Sequence, residues 1–233
     1  MSALDFTTWL HRSVLTAFAL CWAAHAQVPP SPIEIAQFGA LHIAAQQGDG
    51  KRLAEALAGG AALNGRDSRG RTALHVATFA RQREAIRQLA KAGADLSAFE
   101  DDRYDAVTIA AVAGDEDTLA VLLSLGASAK LTTSRYDGTA LIAAAHLGHA
   151  GVVRQLIRAG APLDHLNNLH WTAVIEAIVL GDGGPRHQAC LRALVDAGAS
   201  ITLTDRSGQT PMQLARSRGH EAMLRILEAA PKR

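Results

Sequence analysis

Aromatic residues make up only 4% of this 233-residue chain, which has two cysteines and a formal net charge of +1 from 23 basic and 22 acidic side chains. Each scarcity closes off a class of explanation. A single compact core normally draws on more large aromatics, so their shortage directs attention to internal repetition. The near-neutral balance gives no long-range attraction to nucleic acid or to an anionic membrane. The chain has no Gly-x-Ser-x-Gly elbow, no phosphate-cradling loop and no paired carboxylates set in a helix or strand context. What it does have is 48% hydrophobic residues, much of it Ala and Leu, which are good helix formers.

Residues 1–26 read as a secretory signal peptide. His11 and Arg12 precede an apolar run from Val14 to Ala24, and Ala24-His25-Ala26 supplies a small-x-small cleavage pattern that leaves Gln27 first. The run is shorter than the roughly 20 apolar residues a bilayer span requires. Asp5 departs from the usual basic start, and retention of the segment as an inner-membrane anchor is the alternative. A lipoprotein reading through Cys21 is disfavoured by Leu20, which stands where a small residue is expected. Export places the mature chain in a bacterial periplasm or outside a cell, away from the membrane after cleavage. Cys190 is then the one remaining thiol, and it reads as a small buried helix residue rather than a nucleophile. Residues 27–32, with Pro29, Pro30 and Pro32, read as an extended Pro-rich linker. Residues 33–231 are expected to fold.

Over those residues one pattern recurs. Its clearest copy is Asp67-Ser68-Arg69-Gly70-Arg71-Thr72-Ala73-Leu74-His75-Val76-Ala77, followed by a second helical run ending Leu89-Ala90-Lys91-Ala92-Gly93-Ala94-Asp95. Gly-Ala pairs close successive units at Gly60-Ala61, Gly93-Ala94, Gly126-Ala127, Gly160-Ala161 and Gly198-Ala199, spaced 33, 33, 34 and 38 residues apart. The openings are Ala40-Leu41-His42-Ile43, Thr72-Ala73-Leu74-His75, Asp105-Ala106-Val107-Thr108, Thr139-Ala140-Leu141-Ile142, Thr172-Ala173-Val174-Ile175 and Thr210-Pro211-Met212-Gln213. This pattern resembles the ankyrin-repeat family over about residues 33–230. The resemblance implies an all-α fold, an ankyrin-repeat solenoid of about six helix-turn-helix units with projecting hairpin-like loops. The units fall near 33–66, 67–99, 100–132, 133–166, 167–203 and 204–231.

The recurring residues have physical reasons. Thr72, Thr139, Thr172, Thr210 and Asp105 precede helical runs, where a side-chain oxygen can accept from a free backbone N–H. Pro211 suits a first helical position, whose N–H is unpaired anyway. The Gly of each Gly-Ala pair is placed to leave its helix with positive φ. Leu122, Leu123, Leu156, Leu194 and Leu227 are expected to fill the seam between neighbours. End units need polar outer faces; the last carries Arg216, Arg218, Glu221, Arg225 and Glu228, and the first is expected to take cover from Ile33, Ile35 and Phe38.

Histidines are the main candidates for chemistry. By the resemblance, His42 and His75 sit where the family uses His to bond backbone and tie adjacent units. His146 and His149 have a metal-like spacing, but Gly148-His149 matches the family's inter-helix turn and no thiol or carboxylate is close in sequence, so no metal is expected. His165 and His170 read as exposed polar residues. Leu180-Gly181-Asp182-Gly183-Gly184-Pro185-Arg186-His187 accounts for the 38-residue spacing as about five residues inserted between the helices of the fifth unit. Its glycines could form an anion-binding nest beside Arg186 and His187, and a longer turn is the plainer reading. No cofactor is expected.

In the family, loops project as fingers from one edge and the first helices line a concave face, the usual binding surface. Here the residue before each cap is Arg71, Tyr104, Gly138, Trp171 or Gln209, and Tyr136 lies two residues before Gly138. After cleavage Trp171 is the one remaining tryptophan, and both tyrosines are on fingers. Tyr, Trp and Arg dominate binding hot spots. Arg71, Tyr104, Tyr136 and Trp171, helped by Arg69, Arg103 and Arg135, are therefore the expected contact strip, with lateral packing between fingers as the competing reading. The function expected is a non-catalytic module (scaffold, adaptor or regulator) that binds another protein outside the cytoplasm and does not bind nucleic acid. Two alternatives stand beside it: an enzyme or ion-binding site around residues 181–187, built on Asp182, Arg186 and His187, or a membrane-tethered structural element.

Overall fold

Short helices form wherever the sequence supplies a cap, a run rich in Ala and Leu, and a stop. The computed structural model describes residues 27–231; the expected signal peptide, with Cys21, lies outside them. A short helix α1 (Pro32–Ala36) is followed by six helix pairs: α2 (Ala40–Gln47) and α3 (Gly50–Ala58), α4 (Ala73–Phe79) and α5 (Arg83–Lys91), α6 (Ala106–Val112) and α7 (Glu116–Ser124), α8 (Ala140–His146) and α9 (Ala150–Arg158), α10 (Ala173–Val179) and α11 (Pro185–Asp196), α12 (Pro211–Ser217) and α13 (Glu221–Glu228). One loop carries a two-residue antiparallel ladder, β1 (Thr132–Thr133) against β2 (Gly138–Thr139).

Caps set the starts. Asp105 Oδ1 accepts from the Thr108 N–H at 3.0 Å, and the hydroxyls of Thr139 and Thr172 accept from Ile142 and Ile175, each at 3.3 Å. Each such cap contributes about 1 kcal/mol. Pro211 occupies the first turn of α12, where Thr210 caps. Gly93 (φ 92) and Gly198 (φ 93) leave their helices in the left-handed region that a side chain would strain.

First helices pack in series along the chain, as do second helices, and the substantial contacts join helices of one unit or of neighbouring units. The result is one elongated core. Ala44, Ala77, Ala111, Ala144 and Ala177 are wholly buried, which lets helices approach closely. Leu122, Leu156, Leu194 and Leu227 fill the seam as expected, whereas Leu123 is only half-buried. Truncating a seam leucine to Ala costs about 2–5 kcal/mol.

The amino-terminal end differs from expectation. Helix begins at Pro32, inside the expected linker, because Ser31 and Glu34 form a reciprocal capping box. That box turns Glu34 toward the stack and leaves Ile33 75% exposed, so only Phe38 is buried over the first unit, its ring centroid 5.5 Å from that of His42. At the other end Arg216, Glu221, Arg225 and Glu228 are exposed. The fifth-unit insertion is shared between two features. The turn over residues 180–184 is two residues longer than the corresponding 147–149, and α11 has 12 residues against 9 in α9. Among the described residues no helix is long and apolar enough to cross a membrane.

Candidate partner-binding edge

The loops between units form fingers, and four of them are keyed by one polar side chain five residues before the cap. Asp67 Oδ1 accepts from the N–H groups of Arg69 (2.8 Å) and Arg71 (2.9 Å). Asn167 Oδ1 does the same for Leu169 (3.0 Å) and Trp171 (2.9 Å), and Asp205 Oδ1 for Ser207 (2.8 Å) and Gln209 (2.9 Å). Glu100 Oε1 accepts from the Tyr104 N–H at 3.0 Å. Burial works to raise the Asp67 carboxyl, but bonds from the Arg71 side chain and from the Arg71 and Arg69 backbones outweigh it and hold the group below its usual range.

Each finger also has a left-handed residue two before its cap: Gly70 (φ 70), Arg103 (65), Asp137 (51), His170 (65) and Gly208 (74). Glycine holds this conformation without penalty. A side chain there costs about 1 kcal/mol, so the three middle fingers carry strain that the two outer ones avoid.

Neighbouring fingers are laced together. The N–H groups of Asp101, Ser134 and Asn168 donate to the carbonyls of Arg69 (3.1 Å), Arg103 (2.9 Å) and Tyr136 (2.9 Å). Arg103 Nη1 lies 2.9 Å from Asp137, and Arg135 pairs with Asp102. His165, expected to be exposed, is half-buried and bonds the Asp137 carbonyl at 2.6 Å; His170 is exposed and bonds the Thr204 carbonyl at 3.1 Å.

Two kinds of tie fasten the fingers to the helices. His42 Nε2 donates to the Arg71 carbonyl at 3.0 Å. His75 Nε2 donates to the carbonyls of Ala98 (3.0 Å) and Tyr104 (3.2 Å), while its Nδ1 accepts from the Thr72 N–H and hydroxyl. That ring is neutral, and burial pulls its pKa down to about 4 against the backbone bonds. In units four and five the same position holds Ile142 and Ile175. There a different network appears: Asn167 Nδ2 donates to Glu176 Oε1 at 2.9 Å, and Glu176 Oε2 lies 3.1 Å from His146 Nδ1. Glu176 is wholly buried, and that burial raises its pKa even though His146 and Asn167 bond it. Neither Asn167 nor Glu176 was expected from the sequence to matter. The available signal was a lone carboxylate within Ala-Val-Ile-Glu-Ala-Ile-Val.

Three fingers carry the aromatics of the expected strip. Tyr104, Tyr136 and Trp171 are half-buried, and Trp171 packs against the core. Burial pushes the Tyr104 phenol up to about 12, aided by Asp102 and Glu100. Arg103 and Arg135 remain about half exposed beside their partners. Arg69 is exposed, with Nε 3.5 Å from Glu34 Oε1. Arg71 does not fit the strip. Only 2% of it is accessible; its Nε bonds Asp67 Oδ2 at 2.7 Å, and its Nη2 lies 3.1 Å from Glu34 Oε1. The two carboxylates hold this guanidinium inside the finger, where it shapes the loop and cannot reach a partner.

The glycine-rich turn is satisfied from within. Asp182 Oδ1 accepts from the Gly184 N–H (2.8 Å) and faces His187 Nδ1 (2.8 Å), so the chain's own carboxylate takes up these donors, in keeping with the plainer reading of a longer turn. His187 Nε2 donates to the His146 carbonyl at 2.9 Å, and Arg186 bonds that of Leu147. His149 Nε2 bonds the Val112 carbonyl at 3.1 Å, while His146 turns to Glu176, so these two histidines serve different partners. Among the described residues no three His, Cys, Asp or Glu side chains converge as a metal site. Cys190 is buried and unpaired, its thiol pushed up to about 11 by burial.

Comparison with known proteins agrees with this architecture. A family model described as ankyrin repeats (3 copies) matches residues 25–100, 41–133 and 107–205, and a second, ankyrin repeats (many copies), matches 185–228. The chain is 35% identical over 189 residues to the putative ankyrin repeat protein YahD of Escherichia coli (strain K12), covering 81% of this chain and 94% of that one. A solved ankyrin repeat domain from Acinetobacter baumannii AYE superposes with TM-score 0.77 at 41% identity, over 82% of this chain and 96% of that one. The ankyrin repeat protein EF0377 superposes with TM-score 0.76 at 32% identity, over 83% and 98%.

Proposed function

The chain belongs to the ankyrin-repeat family, whose repeats mediate protein–protein interaction, and from that membership we propose a non-catalytic module that grips a protein partner along its finger edge outside the cytoplasm. Tyr104, Tyr136 and Trp171 are the anchors. Arg69, Arg103 and Arg135 form the cationic rim, and the first helices line the adjoining face.

One observation carries this reading. The three aromatics sit within one residue of the three strained positions, Arg103, Asp137 and His170, while the fingers without aromatics use glycine there. Backbone strain persists where surrounding structure or function maintains it. The enzyme alternative at residues 181–187 is weakened because Asp182 and His187 spend their bonds on the turn itself. Action outside the cytoplasm rests on the apolar run and the Ala24-His25-Ala26 pattern.

The test is affinity capture from the extracytoplasmic fraction, followed by binding measurements with Trp171→Ala and Tyr104→Ala. Each substitution is expected to weaken a captured partner at least about tenfold, the 1.4 kcal/mol or more of a hot-spot residue. Unchanged affinity in folded variants would remove the strip.

A further inference from the structure

The amino-terminal arm, residues 27–38, is held to the stack by little. Its helix α1 buries no residue and packs on no other helix to any substantial extent. Val28 and Ile33 stand out in solvent. Phe38 is buried at the arm's end, and between them one carboxylate does the fastening. Glu34 Oε1 lies 3.1 Å from Arg71 Nη2 and 3.5 Å from Arg69 Nε, while Glu34 Oε2 accepts from the Ser31 N–H at 2.7 Å. One oxygen closes the capping box, so a single oxygen serves both arginines.

The arginine side of this contact is incomplete. Asp67 Oδ2 takes the Arg71 Nε at 2.7 Å, but the buried Arg71 Nη2 has no aligned hydrogen-bond partner; Glu34 is within ion-pair range of it and no more. Guanidinium–carboxylate contacts are strongest when two oxygens meet two N–H groups, and a buried donor left unbonded is destabilising. A small cavity opens beside Arg69 and Arg71, and Val28 of the arm shares it with Phe79 and Tyr104. Glu100 and Asp102 also line it, with Asp102 paired to Arg135, so an entering carboxylate is directed to the two arginines. A buried, under-bonded cation, an exposed cation and apolar surface thus lie beneath a weakly packed segment.

We propose that this notch is a docking site for an acidic peptide segment of the partner, and that residues 27–38 are a self-competing strap whose Glu34 stands in for the partner's carboxylate. The proposal rests on the finger edge being the binding surface. With the strap down, Arg71 is out of a partner's reach and Arg69 and Tyr104 are partly covered. An Asp or Glu side chain that is not tied into a cap brings both oxygens, one toward Arg71 Nη2 and one toward Arg69. An apolar neighbour in the same segment replaces Val28 against Phe79 and Tyr104. The strap then lifts as far as Phe38. Tyr136 and Trp171 take no part in the cavity, so they meet the partner whether the strap is down or raised.

The strap itself is the probe. An acetylated synthetic peptide of residues 27–38, and the same peptide with Glu34→Gln, are each titrated by calorimetry into the full chain and into its Glu34→Ala variant. A tethered group competes at an effective concentration on the order of millimolar. The Glu34→Ala chain is therefore expected to bind the unsubstituted peptide at least about tenfold more tightly than the unaltered chain does, and at least about tenfold more tightly than it binds the substituted peptide. Adding Arg69→Gln, at an exposed position, lowers that affinity about threefold or more. Melting curves confirm that each variant is folded; if Glu34→Ala does not fold, Glu34→Gln replaces it, because it keeps an oxygen for the Ser31 N–H. Hydrogen exchange of the unaltered chain gives a second reading: amides of residues 33–38 are expected to open at least about 100-fold more readily than those of α4. Equal binding of the two peptides, equal binding by the two chains, no binding to a folded variant, or a strap that opens only together with α4 overturns the proposal. No arm of this test needs a captured partner. Its failure strikes the notch and leaves Tyr136 and Trp171 as anchors, whereas unchanged partner affinity in Trp171→Ala strikes the edge reading while the peptide measurements stand.

Discussion

The fingers that open units two and three are held differently from the one that opens unit five. In the first region an imidazole reaches from below: His42 to the Arg71 carbonyl and His75 to that of Tyr104. In the second, isoleucine replaces the ring, and the finger hangs on Asn167, Glu176 and His146. The same loop position is thus fixed by a neutral donor in one case and by a buried carboxylate network in the other. The repeat preserves the geometry of the finger and leaves the chemistry of its attachment open to change, so the two regions answer differently to mutation and to pH.

The largest effect is expected at the carboxylate. Glu176→Ala leaves the Asn167 amide and the His146 ring without their buried acceptor and opens a cavity. Urea unfolding should show a loss of about 3–5 kcal/mol, the cost typical of breaking a buried polar pair. An equal loss for Glu176→Leu would attribute the effect to the bonds, whereas full recovery by Leu would reduce it to volume.

The pH response follows in size. His75 has a folded pKa of about 4 against an ordinary 6.5. Between those values the unfolded chain binds more protons than the folded one, so this contribution is fully present above about pH 6.5 and is lost as pH falls toward 4. The loss is on the order of 2–3 kcal/mol. Glu176, whose pKa burial raises, has the opposite sign: its penalty grows as pH rises through its folded pKa. Acidification should therefore open the Tyr104 finger more than the Trp171 finger, as read by hydrogen exchange corrected for intrinsic rates. Equal opening of both, or a pH dependence unchanged in His75→Gln, would erase the distinction.

Much of the fold is legible in the sequence because its determinants are local. A cap, a three-residue step and a glycine stop lie within one unit and recur, so Thr139, Thr172, Asp105 and the Gly-Ala pairs declare their helices. The site is legible only in part. Arg71 looks like its neighbours Arg69 and Arg103, and its burial depends on Glu34, 37 positions away. Ile33 and Glu34 are adjacent, and which of them turns inward is decided by a capping box together with two distant arginines. Glu176 is tied through Asn167 in its own finger and His146 in the preceding unit, a pairing that no local pattern announces.

The smallest effect sharpens the comparison from the finger side. Arg103→Gly and His170→Gly relieve left-handed side chains and should each stabilise the protein by about 0.5–1 kcal/mol in thermal unfolding. A loss of stability would mean that lacing by these side chains outweighs the backbone strain.

The central claim is that the finger edge meets the partner. Hydrogen exchange of the protein with and without its captured partner tests it most directly. The account predicts new protection at residues 99–105, 132–139 and 165–172, centred on Tyr104, Tyr136 and Trp171. Protection confined to the second helices, or to the turn at residues 180–187, would contradict it.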